Sequence, residues 1–199
     1  MANRKLLVKD YAARQIARLE QQRTESGGRA ALARLRHGVG HIPGELPQLW
    51  GDFLSGLPEE MYSKSGKPTY EEWAIYIALT LFALHQQGKT ASMAAQGVSL
   101  GKAAAKLAAN EEGQERIWPR LNLVALSDDM PEMAYRLRQL ITLLRASDIG
   151  LDYGMLAEDL YEYQFAEAVG RVRLRWGQDF FHRADGGSEN GNEEDKNDE

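Results

Sequence analysis

The sequence contains no cysteine among its 199 residues and only four histidines. This absence excludes disulfides, cysteine-containing zinc sites and thiol nucleophiles, and it is compatible with a reducing compartment. Long apolar runs are also lacking, since the longest one, residues 73–84, includes Thr80 and is too short to cross a membrane. The first ten residues offer too few apolar side chains for a signal-peptide core. We therefore expect a cytoplasmic protein with no membrane association.

Charge is distributed unevenly along the chain, although its formal net value is only −5. Residues 1–36 hold nine basic and three acidic side chains, whereas residues 185–199 hold seven acidic side chains and one lysine. That acidic segment has no large apolar residue, so it cannot bury enough surface to offset its ordering entropy. We predict a disordered acidic tail at 185–199 that follows one helical domain at 1–184. Sub-bundles are expected at about 1–96 and 97–184.

The apolar pattern before the tail has the period of α-helices. Val8, Ala12, Ile16 and Leu19 recur at helical spacing, and similar stripes appear in most later segments. Glycines 27–28 are expected to break the first helix, and Pro119 is expected to kink or restart a later one. The near-continuous apolar character of residues 70–87 indicates a central, buried helix. The pattern predicts an all-α, compact helical bundle.

Capping signals mark where several of these helices begin. A Thr-x-x-Glu capping box starts at Thr69, and Ser99, Asp129 and Asp152 precede other helical stripes. Side-chain oxygens at these positions can accept hydrogen bonds from the free backbone N–H groups of the first helical turn. We therefore predict helix starts directly after these four residues.

Signals that resemble catalytic motifs are incomplete. The tripeptide at 88–90, Gly-Lys-Thr, lacks the earlier glycine and the strand of a phosphate-binding loop. Ser99 and Lys102 match a short Ser-x-x-Lys pattern, which is better explained by a capping serine followed by a surface lysine. The acidic residues at 158, 159 and 162 are interpreted as a solvated helix face. His37 and His41 are four residues apart, but Gly38 and Gly40 disfavour the helix that would bring them together, and no nearby carboxylates complete a metal site. We predict no catalytic residue, no metal site and no cofactor.

Basic side chains recur at helical spacing and suggest a surface for phosphates. Like charges four residues apart disfavour a helix by about 0.2–0.5 kcal/mol unless a partner offsets them. Such pairs, together with one pair spaced by seven residues, are Lys102 and Lys106, Arg116 and Arg120, Arg138 and Arg145, and Arg171 and Arg175. The alternative is ordinary surface ion pairing, for example of Glu112 with Arg116 and of Asp148 with Arg145. From spacing alone, both interpretations stay open.

Several short motifs, taken in order and with their spacing, resemble the CasB family, the small subunit of the type I-E CRISPR Cascade surveillance complex. The resemblance covers about residues 29–183. It is carried by the segments 97–103 (GVSLGKA), 115–117 (ERI), 137–141 (LRQLI), 151–153 (LDY) and 175–176 (RW), and by 29–36, 43–47 with Trp50, and 78–87.

The resemblance implies a non-catalytic, all-helical protein present in two copies per complex, head to tail along the backbone subunits. Its implied partners are the other Cascade subunits (backbone and large subunit), a second copy of itself, the guide RNA and the target DNA. There it would support the guide–target duplex and the displaced strand and stabilise the R-loop. By motif position, Lys102, Arg116 and Arg138 match basic positions of the family, and helical geometry extends this nucleic-acid-binding set to Arg120 and Arg145.

A different class of function remains as the alternative. The chain could be a helical protein–protein adaptor whose arginines serve protein partners or intramolecular ion pairs, with no nucleic-acid contact. Genomic context beside CRISPR-associated genes, or co-purification with a guide RNA, would discriminate the two.

Overall fold

The computed structural model describes residues 2–182, which form nine α-helices, two single-turn 3₁₀ segments and no strand. The helices are α1 (Ala2–Gln22), α2 (Ser26–His37), α3 (Trp50–Phe53), α4 (Tyr70–His85), α5 (Leu100–Leu107), α6 (Glu111–Ala125), α7 (Met130–Ala146), α8 (Tyr153–Tyr163) and α9 (Ala166–Phe181). The prediction of an all-α fold is confirmed. The predicted disordered tail at 185–199 lies outside the described residues.

Helix α4 forms the centre of the core, as its apolar sequence predicts. Twelve of its 16 residues are buried, and α1, α2, α7 and α8 all pack against it. Even Thr80 is enclosed, and its hydroxyl donates a hydrogen bond of 2.8 Å to the Tyr76 carbonyl inside the same helix. The hydroxyl is thereby satisfied in an apolar environment, which removes most of the cost of burying it.

The predicted helix starts are confirmed at the atomic level. Thr69 forms a reciprocal capping box with Glu72, while Ser99, Asp129 and Asp152 each accept a hydrogen bond from the backbone N–H three residues later. Asn110 caps α6 in the same way, because its side chain accepts a hydrogen bond from the Gly113 N–H at 2.7 Å. Its side chain therefore separates α5 from α6.

The glycines at 27–28 do not break a helix, contrary to the prediction. They lie in the first turn of α2, and the chain turns earlier, at residues 23–25. A Cβ atom at Gly28 would lie 1.9 Å from the Gln22 carbonyl oxygen. Glycine is needed there because the start of α2 passes directly over the end of α1. Pro119 does not restart α6 either, since that helix continues on both sides of it.

The second half of the chain packs α5 against α9 and places α6 and α7 beside them. A Cβ at Gly101 would approach the Trp176 carbonyl oxygen to 2.3 Å, so only glycine allows α5 and α9 to be this close. The Ser99 hydroxyl also bonds to Asp179 of α9 at 2.5 Å. An isolated parallel bridge joins Ala94 to Leu151.

Helices of the two halves also pack on each other, because α8 contacts both α1 and α4. The division into sub-bundles at about 1–96 and 97–184 stays a prediction. Among the described helices, none combines the length and the apolar character needed to cross a membrane.

Candidate nucleic-acid interface

Arg116 and Arg120 extend from the exposed flank of α6. They are one turn apart, and the buried Ile117 and Leu121 next to them define the opposite, inner face of the helix. The Arg120 guanidinium donates to the Arg116 carbonyl oxygen. Neither side chain has a carboxylate within 4 Å in the described part of the chain, so the suggested pair of Glu112 with Arg116 does not form. Both charges are therefore available to a ligand.

Arg138 and Arg145 of α7 differ in their surroundings. Arg138 is exposed. Arg145 is half-buried and donates to the side-chain oxygen of Gln87 at 2.9 Å and to the Leu84 carbonyl at 3.3 Å, at the end of α4. Asp148, the suggested partner of Arg145, pairs instead with Lys89 at 2.6 Å. Arg145 thus helps to join α7 to α4, while its charge has no acidic partner between residues 2 and 182.

The arginines on α6 and α7 do not form one continuous face. Arg136 donates to the Leu123 carbonyl of α6, whereas Arg145 binds α4. These two positions are nine residues apart, which is about 180° around a helix, so α6 and α4 lie on opposite flanks of α7. Arg138 is only about 20° from Arg145 and so lies on the α4 flank. The structure therefore brings Arg116 together with Arg120, and Arg138 together with Arg145, as two separate pairs.

Lys102 lies on α5, exposed, one turn from the equally exposed Lys106. Its backbone N–H donates to the Ser99 hydroxyl at 3.2 Å, which confirms the interpretation of Ser99 as a helix cap followed by a surface lysine. The buried Leu100, Ala103 and Ala104 occupy the inner face of this helix. The lysine pair therefore projects away from the α5–α9 contact.

The acidic residues of α8 are not a solvated face, contrary to the prediction. Asp159 and Glu162 are only 6% and 7% exposed. Arg175 of α9 bonds to Asp159 at 2.6 Å and to Glu162 at 2.9 Å, and the Trp176 indole N–H donates to Asp159 at 2.6 Å. Lys5 of α1 reaches Glu162 at 3.2 Å. The sequence missed this cluster because its members come from α1, α8 and α9, and only the packing of these three helices brings them together.

The cluster shifts the ionisation of its members in different directions. Burial raises the pKa of Asp159, although the hydrogen bonds from Arg175 and Trp176 counteract it. Burial also disfavours the charged form of Glu162, but the hydrogen bonds from Arg175 and Lys5 outweigh it and lower the pKa of that carboxyl. Arg175 therefore serves an intramolecular network, and Arg171, at 4.0 Å from Glu162, lies at its edge.

The remaining candidate residues, His85 and Lys89, each contact another side chain of the fold. His85 is fully buried, its Nδ1 lies 2.9 Å from the Tyr153 hydroxyl, and burial lowers its pKa to about 4. Lys89 of the Gly-Lys-Thr tripeptide lies in a loop and pairs with Asp148. Within residues 2–182, no group of three or more histidine, aspartate or glutamate side chains is arranged to hold a metal ion.

Sequence reasoning also missed a concave basic surface beside the end of α4. Arg23, Arg29, Arg36 and Lys89 line this cleft together with uncharged residues. These four side chains come from the turn after α1, from α2 and from the loop after α4, so helical spacing could reveal only the pair of Arg29 and Arg36, which are seven residues apart.

Comparisons with known proteins agree with one another. The family model of CRISPR-associated protein Cse2 matches residues 31–181, well over half of the chain. The crystal structure of CasB from Thermobifida fusca is 31% identical, with a TM-score of 0.75, and the match covers 87% of this chain and 97% of that one. CasB from M. ruber shares the fold at 22% identity and a TM-score of 0.64, covering 88% and 95%. Among curated protein sequences, none matches.

Proposed function

Since the chain belongs to the CRISPR-associated Cse2 (CasB) family of Cascade subunits, we propose that it supports the guide RNA–target DNA duplex and the displaced strand, and so stabilises the R-loop in antiviral defence. In such a complex, sequence specificity comes from base pairing with the guide. The subunit then needs contacts to phosphates and none to base edges. Its proposed contacts are Lys102, Arg116, Arg120, Arg138 and Arg145.

The availability of these charges is the observation that supports the proposal most. Lys102, Arg116, Arg120 and Arg138 are exposed, and none has a carboxylate within 4 Å inside the described range. Cations that are solvated and unpaired lose little by moving onto phosphates, where they release condensed counterions. By contrast, Arg175 would have to leave two buried carboxylates before it could bind a phosphate.

The two arginine pairs lie on separate helices and flanks, which suits contact with two different strands or two turns of one backbone. We assign no reaction to the chain, and its role in the proposal is binding only. Its proposed partners are the backbone and large subunits, a second copy arranged head to tail, and the two nucleic acids. The compartment in the proposal is the cytoplasm, where guide RNA and invading DNA meet.

The adaptor alternative is favoured by a different observation. Leu174 and Phe181 on α9 are 60% and 47% exposed, and Trp118 of α6 packs against Phe181 with ring centroids 4.9 Å apart. Exposed apolar groups of this size suit a protein partner. Exposed apolar groups alone do not separate the two functions, because a Cascade subunit must contact protein as well.

Target binding by the assembled complex, measured with and without this chain over a series of salt concentrations, tests the proposal. With the chain present, we expect tighter binding and a steeper decrease of log K with log salt, because additional phosphates are neutralised. Equal affinity and an equal salt slope with and without the chain would refute a nucleic-acid role.

A further inference from the structure

A basic cleft of about 510 Å³ lies between the turn that follows α1 and the loop that follows α4. Its charged lining residues are Arg23, Arg29, Arg36 and Lys89, and no acidic residue lines it in the part of the chain described. Uncharged residues of the segment 86–90 form most of the remaining wall. A concave arrangement of like charges focuses their field, so the cleft attracts an anion.

Two of these four cations keep a charge that no acidic side chain neutralises. Arg23 and Lys89 each have an acidic partner outside the cleft, at 3.3 and 2.6 Å. Arg29 and Arg36 have no carboxylate within 4 Å over the described residues. They lie seven residues apart on α2, about 20° from each other around the helix, so both extend to the same side. The cleft therefore retains two positive charges that an anion could neutralise.

The segment 185–199 of the same chain carries the opposite charge. It holds seven acidic side chains and one lysine, a formal charge of −6, and it has no large apolar residue. Five of the seven acidic side chains fall within residues 193–199. A segment of this composition has carboxylates to offer and no apolar side chain for a hydrophobic contact, so complementary charge decides where it binds.

The basic cleft is close enough to the end of α9 for this segment to reach it. Asp179 of α9 is joined by a hydrogen bond to Ser99 at the start of α5. The Asp152 N–H donates at 2.8 Å to the carbonyl of the residue before Ser99, and Asp152 follows the acidic partner of Lys89 by four residues. The greatest possible lengths of these steps place the cleft within about 45 Å of residue 182. The 17 residues from 183 to 199 span up to about 56 Å when extended, so the acidic side chains at 193–199 can enter the cleft.

Lys102 and Lys106 of α5 are closer to the end of α9, but they suit the acidic segment less well. These lysines offer two charges on an exposed helix flank, whereas the cleft gathers four cations in a concave site. Three of those four are arginines, whose planar guanidinium groups can bind a carboxylate through two parallel hydrogen bonds. A lysine acts only as a point charge. Both the number and the type of the cations therefore favour the cleft.

We infer that the acidic segment 185–199 binds in the basic cleft of its own chain and neutralises the cleft while the chain is free. The tether keeps the carboxylates at a local concentration on the order of millimolar, so even a weak contact is populated. The segment thereby acts as an intramolecular competitor that any other anion has to displace from the cleft. This regulatory contact is independent of the proposed function, which assigns no role to the cleft.

Fluorescence energy transfer within the full chain tests the inference. Because the sequence has no cysteine, Thr24→Cys and Asn197→Cys provide the only two labelling sites, and both substitutions keep every charge. Thr24 is exposed and lines the cleft, while Asn197 lies among the acidic residues of the segment. We expect efficient transfer at low salt, at the same level for every chain concentration. It should decrease at 1 M salt, where the Debye length is only about 3 Å.

Charge variants of the labelled chain then identify the cations involved. Arg29→Gln with Arg36→Gln should lower the transfer at low salt to the level of the parent at 1 M salt. The matched control is Lys64→Gln with Lys67→Gln, which also removes two exposed positive charges but lies before α4, about 24 Å from its cleft end for a helix of 16 residues. This control should keep the parent's transfer, and unfolding curves of both variants should match the parent chain.

Two further variants make the result independent of the arginine substitutions. Replacing all seven acidic residues of 185–199 by their amides should abolish the transfer at low salt while leaving the described fold untouched. Lys102→Gln with Lys106→Gln removes the cations nearest to the end of α9, and this variant should keep the parent's transfer.

Transfer in the Arg29→Gln, Arg36→Gln variant that equals the parent's would overturn the inference. Loss of transfer in the Lys102→Gln, Lys106→Gln variant would place the segment on α5 and contradict it. Loss in the Lys64→Gln, Lys67→Gln control would show that any cation of the surface attracts the segment, which contradicts a specific site. Transfer that increases with chain concentration would assign the contact to a second copy and contradict binding within one chain.

Discussion

Arginine pairs one turn apart occur on α6 and on α9, and their neighbours give them opposite roles. Arg116 and Arg120 extend into solvent, while Arg175 bridges two carboxylates of α8. The same spacing therefore gives a free cationic surface in one helix and a structural ion-pair network in the other. The difference arises from the acidic residues that α8 presents to α9, and it decides which arginines can meet phosphates.

Replacing Arg175 by methionine should destabilise the fold, because Asp159 would keep a buried charge with only the Trp176 N–H to satisfy it. The Arg175 side chain is 42% exposed, so solvent screening reduces the loss to about 1–2 kcal/mol instead of the larger cost of a fully buried pair. The control, Arg116→Met, should change the free energy of unfolding by less than about 0.5 kcal/mol. Urea unfolding of both variants measures this, and equal stabilities would contradict the structural role of Arg175.

His85 should make the stability of the fold depend on pH. Its folded-state pKa of about 4 lies below the ordinary value of 6.5, mainly because burial disfavours the charged ring and next because nearby Arg145 and Lys89 repel it. The unfolded chain then binds the proton more readily, so stability is complete above about pH 6.5 and decreases as the pH falls toward 4. Between pH 7.5 and 5 the parent chain should lose about 2 kcal/mol more than His85→Leu, as measured by urea unfolding. If the free energies of unfolding of the parent and of His85→Leu changed in parallel with pH, the pKa of His85 in the fold would not be lowered.

At the scale of helices, the contact between α5 and α9 depends on one glycine, at position 101. Gly101 lets the backbone of α5 lie against the Trp176 carbonyl, and Trp176 in turn donates to Asp159 of α8. Three helices are therefore linked through one position. By contrast, a Cβ atom at Gly170 or Gly177 of α9 would meet no other element within 4 Å, so both positions have open space beside them.

Gly101→Ala should therefore destabilise the protein by about 1–3 kcal/mol, because backbone has to move to admit the methyl group. Gly177→Ala is the matched control on the partner helix. It should be neutral or stabilising by up to about 1 kcal/mol, since alanine favours a helix interior where space is free. Thermal and urea unfolding of both variants measure these changes in stability. Tolerance of alanine at position 101 would contradict the close α5–α9 packing.

Helix starts could be predicted from the sequence because a cap is a local interaction, as at Thr69 and Asp129. The buried centre at α4 was equally predictable, since its apolar character leaves it no solvent-facing side. The glycines at 27–28 were misjudged because Gly28 makes a close approach to Gln22, and a local pattern cannot reveal a contact between two helices. For the same reason, the spacing of Arg138 and Arg145 identified a shared flank but not the helix that borders it.

For the molecule as a whole, the positions of the charges describe its capacity to bind phosphates better than the net charge does. Residues 1–36 carry an excess of positive charge, and three of their arginines line the basic cleft. Residues 185–199 carry a formal charge of −6. The chain thus combines cationic surfaces with a strongly acidic segment of the opposite charge.

Removal of residues 185–199 should leave the fold intact and strengthen non-specific DNA binding. The segment has no large apolar residue, and its loss changes the formal net charge from −5 to +1. Fluorescence anisotropy with a random-sequence duplex at low salt measures the binding, and a melting curve checks the fold. A large decrease in melting temperature would mean that this segment stabilises the helical domain, and the prediction would be wrong.

The central claim is that exposed arginines on α6 and α7 contact nucleic-acid phosphates inside the assembled complex. The most direct measurement is the salt dependence of target binding by complexes that carry Arg116→Ala with Arg138→Ala, beside the Lys64→Gln, Lys67→Gln control. We expect normal assembly, a salt slope lower by about 2, and an equal loss of affinity for all target sequences, since phosphates carry no base information. A double variant that assembles and binds target DNA with the parent affinity and salt slope would contradict the claim.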